Sequence, residues 1–394
     1  MADMRKVMFI SELTRGYPRE LLRGIVRYVR LHGTWSVHTE FIGDSNSNDS
    51  RMKLDPLLEF SESDIDGVIS RDIERAGKFI RKGIPTIMAV QPPKIRYKVP
   101  HIILDHRAIG QMAAEHLISR GVRNFAYCGY KNTYWSESRL EGFHSFLAEA
   151  GFSTDVFVFS PAVTRSDRQK ERKRVCQWLK SLPAPVGMMA VDDEAGRYII
   201  TLCNMMDIHV PEDLAIIGVS NDDMLCDFCN PPLSSIALNG QHAGFEAAAL
   251  LDKMMAGQNV SDQQLRVSPV RVVTRQSTDI VAVEDPYVSK ALYYIRNNVK
   301  TNIKVQDVLQ YTHISRRALE RRFEKHLNSS IHKKIQSSRV ETMARLLCET
   351  SLLVSEIADE MGFDGVEHVS RYFKREKGMS PQEFRFRYGI QSGQ

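Results

Sequence analysis

The feature that most narrows the fold is an alternation that runs from Lys6 to about Thr278 and then stops. Short β-branched runs, "KVMFI", "DGVIS", "IPTIMAV", "NFAYC", "VGMMAV" and "LAIIGV", are bounded by Gly, Pro or polar residues, as buried strands are. Between them, "PRELLRGIVRYVRLHG" and "IGQMAAEHLISRG" carry apolar residues at helical spacing and close on glycine. Strands alternating with helices predict doubly wound parallel sheets, and the length suits two α/β lobes. Ligands bind such sheets beyond the carboxyl ends of the strands. At Asp285-Pro286 the strand signal ends, and Tyr287 to about Tyr388 reads as all-helical.

The net charge of +5 is unevenly placed. From Tyr287 onward there are 19 Lys and Arg against 12 Asp and Glu, whereas the preceding residues hold 34 against 36. A basic last quarter is what a polyanion-binding domain needs, although a solvated helical surface gives the same bias. At 394 residues, 43% apolar and 26% charged, the chain has the makeup of a soluble protein of two or three domains. No export signal or membrane-length apolar run is visible, and the six scattered cysteines suit a reducing compartment, so a cytoplasmic protein is expected. Cys226 and Cys229 lack a second ligand pair nearby, so neither a metal nor another cofactor is expected. With no phosphate-cradling "GxxxxGK" and no "GxSxG" nucleophile, enzymatic activity is not expected either.

The helical part contains one unit twice, Val305 to Phe323 and Val354 to Phe373, each a short helix, a tight turn and a longer basic helix. In the second copy Val354, Ile357, Ala358 and Met361 form an apolar face, Gly362 ends the helix and Asp364 is expected to cap the next. There Val369 and Phe373 point inward, while Glu367, His368, Arg371 and Arg375 project outward. In the first copy Ser315 caps, Leu319 and Phe323 pack inward, and Arg316, Arg317, Glu320 and Arg321 face out. An apolar back with a row of long polar side chains fits a helix lying in a major groove. Lys333, Lys334 and Lys374 suit phosphate contacts. A single helix, roughly Ile331 to Cys348, would join two such units (about 304–327 and 353–377) so that they reach successive grooves.

The run Ile357-Ala358, Gly362-Phe363, Phe373-Lys374, Gly378, Ser380-Pro381 and Phe384-Arg385 resembles the signature of the AraC/XylS family of transcription activators. Departures are Val369 where an aromatic is usual, Met343 where Ala is common, and Thr312-His313 in place of an apolar-Gly turn.

The first part resembles the sugar-binding domain of LacI-type repressors, itself similar to periplasmic binding proteins. The matching residues are "DGVI", Asp105 with Gly110, "HLISRGVRNFAY", Arg139 with Gly142-Phe143, Asp192 with Ala195, and "VPEDLAIIGVS" followed by "PPLSSIAL". The resemblances together imply an α/β two-lobed, periplasmic-binding-protein-like sensor (1–280), a linker (281–290) and an all-α domain with two helix-turn-helix units (291–394). They imply operator DNA and a sugar as partners, with a homodimer and contact with RNA polymerase. The order of modules is similar to regulators of xylose utilisation, so D-xylose is the expected sugar. Asp192, Arg139 and Asp105 match family positions that hold sugar hydroxyls. Glu12 and Tyr17 follow the first strand, Asn221 follows "LAIIGV", and Trp135 offers a flat face for sugar C–H groups. Each has a structural alternative: Asp192 as a helix cap, Arg139 in a surface ion pair, Trp135 and Tyr17 in local packing. Other pentoses, hexoses or nucleosides, repression instead of activation, a sugar-acting enzyme and a transport-type binding protein are the competing functions.

Overall fold

The computed structural model describes residues 4–33, 35–41, 64–90, 97–160, 165–258, 260, 263–279, 283 and 285–388. Contacts divide the chain after Val281.

The first unit has two lobes. Lobe 1 begins with β1 (Arg5–Ser11), α1 (Gly16–His32), β2 (Trp35–Phe41), β3 (Gly67–Ser70), α2 (Ile73–Arg81), β4 (Thr86–Met88) and β5 (His101–Leu104). The chain then crosses to lobe 2 for α3 (His106–Ser119), β6 (Asn124–Tyr130), α4 (Tyr134–Glu149), β7 (Thr154–Phe159), α5 (Arg165–Ser181), β8 (Val186–Ala190), α6 (Asp193–Met205), β9 (Leu214–Val219), α7 (Asp223–Phe228) and β10 (Ser234–Leu238). It returns to lobe 1 for α8 (Gly240–Met255) and β11 (Gln264–Val267), and ends in lobe 2 with β12 (Pro269–Val273) and a 3-10 turn, Gln276–Thr278. The two six-stranded sheets run β11-β5-β4-β3-β1-β2 and β12-β10-β9-β8-β6-β7. Their pairings are parallel except for antiparallel β10/β12.

Both lobes hold their helices together by the same device. A Cβ built on Gly24 of α1 would lie 2.0 Å from the Gln241 carbonyl oxygen of α8, and one on Gly244 of α8 would lie 2.0 Å from that of Leu21. In lobe 2, Gly110 of α3 and Gly142 of α4 face the carbonyls of Arg139 and Arg107, each at 2.1 Å. Only glycine lets the two backbones approach so closely. Val7, Phe9, Leu21, Ile25, Ala247 and Leu251 bury the sheet of lobe 1 against α1 and α8.

The second unit is helical: α9 (Pro286–Asn297), α10 (Val305–Thr312), α11 (Arg316–Leu327), α12 (Ile331–Glu349), α13 (Val354–Glu360), α14 (Val366–Lys377) and α15 (Pro381–Tyr388). Of the expected linker, residues 281, 282 and 284 lie outside the described residues. Asp285 caps α9, accepting from the Tyr287 and Val288 N–H groups, and Pro286 opens the helix. Val288, Ala291, Leu292 and Ile295 of α9 are buried in one core with Val308, Leu319 and Phe323. A second core gathers Met343, Leu347, Ile357, Met361, Val369 and Phe373. The α12 helix runs through both. Its buried Arg339 donates to the Val299 carbonyl (3.2 Å) and the Thr301 carbonyl beside the first core and to Met361 (2.6 Å) in the second, with its guanidinium 4.5 Å from the Phe363 ring.

Two local expectations meet their test here. Ser315 caps α11, its hydroxyl accepting from Ala318 N–H at 3.4 Å. Asp364 does not cap α14: the cap position is Gly365, at φ 146°, with no side-chain bond, because the turn after Gly362 needs one more residue than the repeat suggested. His313 occupies the left-handed position that ends α10, at φ 54°, the conformation for which a glycine is the usual choice.

Candidate functional site

A cleft of about 940 Å³, open to solvent, lies between the lobes at the carboxyl ends of the strands. Lobe 1 supplies Glu12 after β1, Tyr17 from the first turn of α1, Arg71 after β3 and Val90 after β4. Lobe 2 supplies Trp135 and Arg139 from α4, Asp192 and Glu194 where β8 enters α6, and Ser220 and Asp222 after β9. His106 stands at the first crossover between the lobes.

Five of the seven residues expected to meet sugar, Glu12, Tyr17, Trp135, Arg139 and Asp192, therefore line one cavity. Asp105 and Asn221 do not. Asp105 turns its carboxylate onto the Ala108 N–H (2.9 Å) to cap α3, and its own N–H donates to Val267 (2.9 Å). The Asn221 amide is fastened within lobe 2, accepting from Arg275 Nη1 (2.8 Å) and donating to Asp223 (3.1 Å). Its neighbours Ser220 and Asp222 take the cleft positions instead. Arg15, Arg71, His106, Asp193, Glu194 and Asp222 were not foreseen, yet all sit within four residues of a strand's carboxyl end.

Asp192 both caps α6, through Oδ1 and the Ala195 N–H at 2.8 Å, and presents a buried Oδ2 with no hydrogen-bond partner among the described residues. The same holds for the Tyr17 hydroxyl, Arg71 Nε, His106 Nδ1 and Arg139 Nε. Arg139, only 5% exposed, donates through Nη1 to the Val191 carbonyl and lies 5.0 Å from the Trp135 ring, while burial holds its pKa below the ordinary value. Across the cleft Arg15 of lobe 1 faces Asp192 (3.6 Å) and Glu194 (3.7 Å) of lobe 2. Burial alone would depress the Arg15 guanidinium, but Asp192, Tyr130, Glu194 and Glu12 together hold it above its usual range. Glu12 pairs with Arg71 at 3.6 Å, and Arg19 reaches Asp222 at 2.5 Å. Burial, then Arg139 and Arg71, push His106 down to about 3, so it is a neutral imidazole at physiological pH.

Charges of both signs are thus matched inside the cleft, and five buried donors or acceptors are left for an occupant. A phosphate would upset that balance. An uncharged molecule with several hydroxyls, each able to donate and accept, meets it, and Trp135, Val219 and Leu238 supply apolar surface for its C–H faces.

In the helical unit, Arg316, Arg317 and Arg321 of α11 and Glu367, His368, Arg371, Lys374 and Arg375 of α14 are exposed, opposite the buried pairs Leu319/Phe323 and Val369/Phe373. Glu320 departs from this row: its carboxylate bends back to accept the Ile331 N–H at 3.3 Å, stitching α11 to the start of α12. Arg375 also pairs with Glu376 (3.2 Å). Lys333 is exposed on α12, with Lys334 half-exposed beside it.

Residues 114–278 match the model of the periplasmic binding protein-like domain, and residues 308–387 that of a helix-turn-helix domain. The chain is 29% identical over 390 residues to the xylose operon regulatory protein of Haemophilus influenzae, covering 96% of this chain and 98% of the relative. It is 29% identical over 393 residues to that of Escherichia coli strain K12, covering 96% of each. A solved structure of a xylose-binding transcription activator superposes with a TM-score of 0.84 at 27% identity, over 98% of this chain and 99% of the other. The chain therefore shares with the xylose operon regulatory proteins the order of a periplasmic binding protein-like domain followed by a C-terminal helix-turn-helix domain.

Proposed function

We propose that this sugar-responsive transcription regulator takes D-xylose in the interlobe cleft and activates xylose-utilisation genes as a homodimer that also contacts RNA polymerase. The observation that carries the effector reading is the set of five buried polar atoms without hydrogen-bond partners among the described residues in a charge-balanced cleft. Hydroxyls of a pentose satisfy donors and acceptors alike, and full-length likeness to xylose operon regulators favours that sugar over hexoses or nucleosides. Asp192 and Arg139 bind hydroxyls; Trp135 covers a C–H face; Glu12 and Tyr17 close the site from lobe 1. Sugar bridges residues of both lobes, so it prefers one lobe arrangement, and that preference sets operator affinity. On the DNA side, Arg316, Arg317, Arg321, Arg371 and His368 reach base edges, while Lys333, Lys334 and Lys374 hold phosphates.

The test is a thermal-shift panel of the purified protein against pentoses, hexoses and nucleosides, followed by operator binding with and without the ligand found. D-xylose is expected to raise the melting temperature and to change operator affinity. Asp192→Ala and Arg139→Ala should each weaken xylose binding about tenfold or more, roughly 1.4 kcal/mol. Unchanged affinity in both, with the fold intact, rejects the cleft, and silence across the whole panel rejects sugar sensing.

A further inference from the structure

One surface of lobe 2 carries charge that neither the cleft nor the helix-turn-helix units use. The α5 helix holds seven Lys and Arg against two acidic residues. The sequence before Tyr287 has 34 basic and 36 acidic residues, so without that helix it is 27 against 34. Arg168 and Arg172, one turn apart on α5, and Arg197 of α6 converge on a dent lined by Tyr130, Phe159 and Tyr198. The Phe159 ring packs at a tilt against both neighbours, 5.7 Å from Tyr130 and 6.0 Å from Tyr198.

Among the described residues no carboxylate neutralises these three guanidiniums. Arg197 Nε is buried without a partner, and Arg172 has only the Met205 sulfur, at 3.8 Å. The two carboxylates at the rim are engaged elsewhere. Glu171 accepts from the Ser160 N–H (2.7 Å) and from Arg174 (2.5 Å), and Glu194 faces Arg15. Three unpaired arginine forks over an aromatic lining recognise a phosphate dianion on a small organic body, since the forks match phosphate oxygens and the rings take the ester.

We propose that this dent is a second effector site for a phosphomonoester of a sugar or nucleoside, coupled to the sugar cleft. Two residues form the shared wall. Tyr130 lines the dent while its hydroxyl lies 3.5 Å from Asp192 Oδ1 and its ring packs edge-on to Trp135 at 5.7 Å. Glu194 borders both cavities. An occupant that shifts Tyr130 or draws charge from Glu194 alters Asp192 and Arg15, the groups that face each other across the cleft. The coupling, though not the site, rests on the sugar reading of that cleft.

The experiment is calorimetric titration of the full-length protein with adenosine monophosphate, ribose 5-phosphate and inorganic phosphate, each with and without saturating D-xylose. A phosphomonoester should bind, with inorganic phosphate much weaker, and should change xylose affinity by the same factor that xylose changes its own, within the roughly 5- to 150-fold range of such couplings. Arg197→Gln, and separately the pair Arg168→Gln and Arg172→Gln, should lose about tenfold or more in phosphomonoester affinity while keeping the xylose-induced thermal shift, which certifies the fold. The site is overturned if no phosphomonoester binds, if inorganic phosphate binds equally well, or if the glutamine variants bind as wild type does, which would point to the basic helices of the other unit. Arginine-dependent binding that leaves xylose affinity unmoved overturns the coupling. Loss of xylose binding alone overturns the cleft reading and leaves the dent standing.

Discussion

Gly142→Ala adds one methyl group at the point where α4 crosses α3. That methyl would lie 2.1 Å from the Arg107 carbonyl oxygen and 2.7 Å from its carbonyl carbon, where ordinary contact begins at 3.4 Å. Both obstacles are backbone, so no side chain can swing away, and the helices must part by about 1.3 Å. Alanine favours the helix itself by roughly 1 kcal/mol. Against this, parting the helices disturbs the fully buried Ala113, Ala114, Leu117 and Phe143, and overpacking of this kind costs about 1–3 kcal/mol before that loss is added. A net destabilisation of about 2–3 kcal/mol is expected. The same displacement carries Arg139, one turn earlier on α4, and Trp135, two turns earlier, out of register with Asp192 and Tyr17, so xylose affinity should fall about tenfold or more. Urea unfolding with and without sugar reads the first effect, and titration of the folded protein at low temperature reads the second. A variant within about 0.5 kcal/mol and about twofold of wild type would refute the claim that this backbone contact sets the position of the cleft's second wall.

Other perturbations test separate parts of the molecule. Burial pushes Asp193 up to about 7, against hydrogen bonds from Ser235 Oγ and the Asp222 N–H that pull it down, from an ordinary value of 3.8. Between about pH 4 and about pH 7 the folded protein keeps a proton that the unfolded chain has lost, so this group's contribution to stability falls as pH rises through that window. Asp193→Asn should flatten the decline in melting temperature there, and an unchanged pH profile would show that the carboxyl is not held protonated. His313→Gly relieves a left-handed residue, partly offset by added freedom in the unfolded chain, and should stabilise the helical unit by about 0.5–1 kcal/mol in urea unfolding; destabilisation would contradict the conformation assigned to that turn. Arg339→Ala leaves three carbonyls without their charged donor and should cost about 3 kcal/mol or more, with weakened operator binding although Arg339 does not belong to the exposed rows. Operator affinity that survives the substitution would mean that the two helix-turn-helix units do not need this tie.

The sequence disclosed the central strands and little of the edges. Val186–Ala190 and Leu214–Val219 are buried throughout and read as unbroken apolar runs. β7 exposes Asp155 and Val156, and β11 and β12 mix Gln, Arg and Pro into short edge segments, so their periodicity is diluted. The same reason hid part of the cleft. Glu12 was found because β1 is a clear strand, whereas His106 follows the four-residue β5, which carries no such signal. Glu320 shows a different limit: helical spacing gives the direction of a Cα–Cβ bond, but a long carboxylate can still reach back to the Ile331 N–H. Asn221 failed for a third reason, because the backbone at Ser220 and Asn221 has φ of 111° and 48° and swings that side chain away from the strand's own direction.

Those observations bear on how a sugar can act as a signal. The cleft is flanked by contacts between lobes, Arg15 with Asp192 and Glu194, and Arg19 with Asp222, so the lobes approach without a ligand's help. That approach also buries five polar atoms with no hydrogen-bond partner among the described residues, and each such atom costs about 1–3 kcal/mol when it is not satisfied. The ion pairs favour closure and the atoms without hydrogen bonds oppose it. A sugar that hydrogen-bonds even three of the five removes a penalty of about 3 kcal/mol or more from the closed arrangement alone, a shift of more than about a hundredfold in the balance. A ligand held only by one lobe would bind both arrangements equally and move nothing. On the proposed reading the effector reaches Asp192 or Arg139 on one side and Tyr17 or Arg71 on the other, and a pentose lacking the hydroxyls on one edge should bind measurably yet fail to change operator affinity.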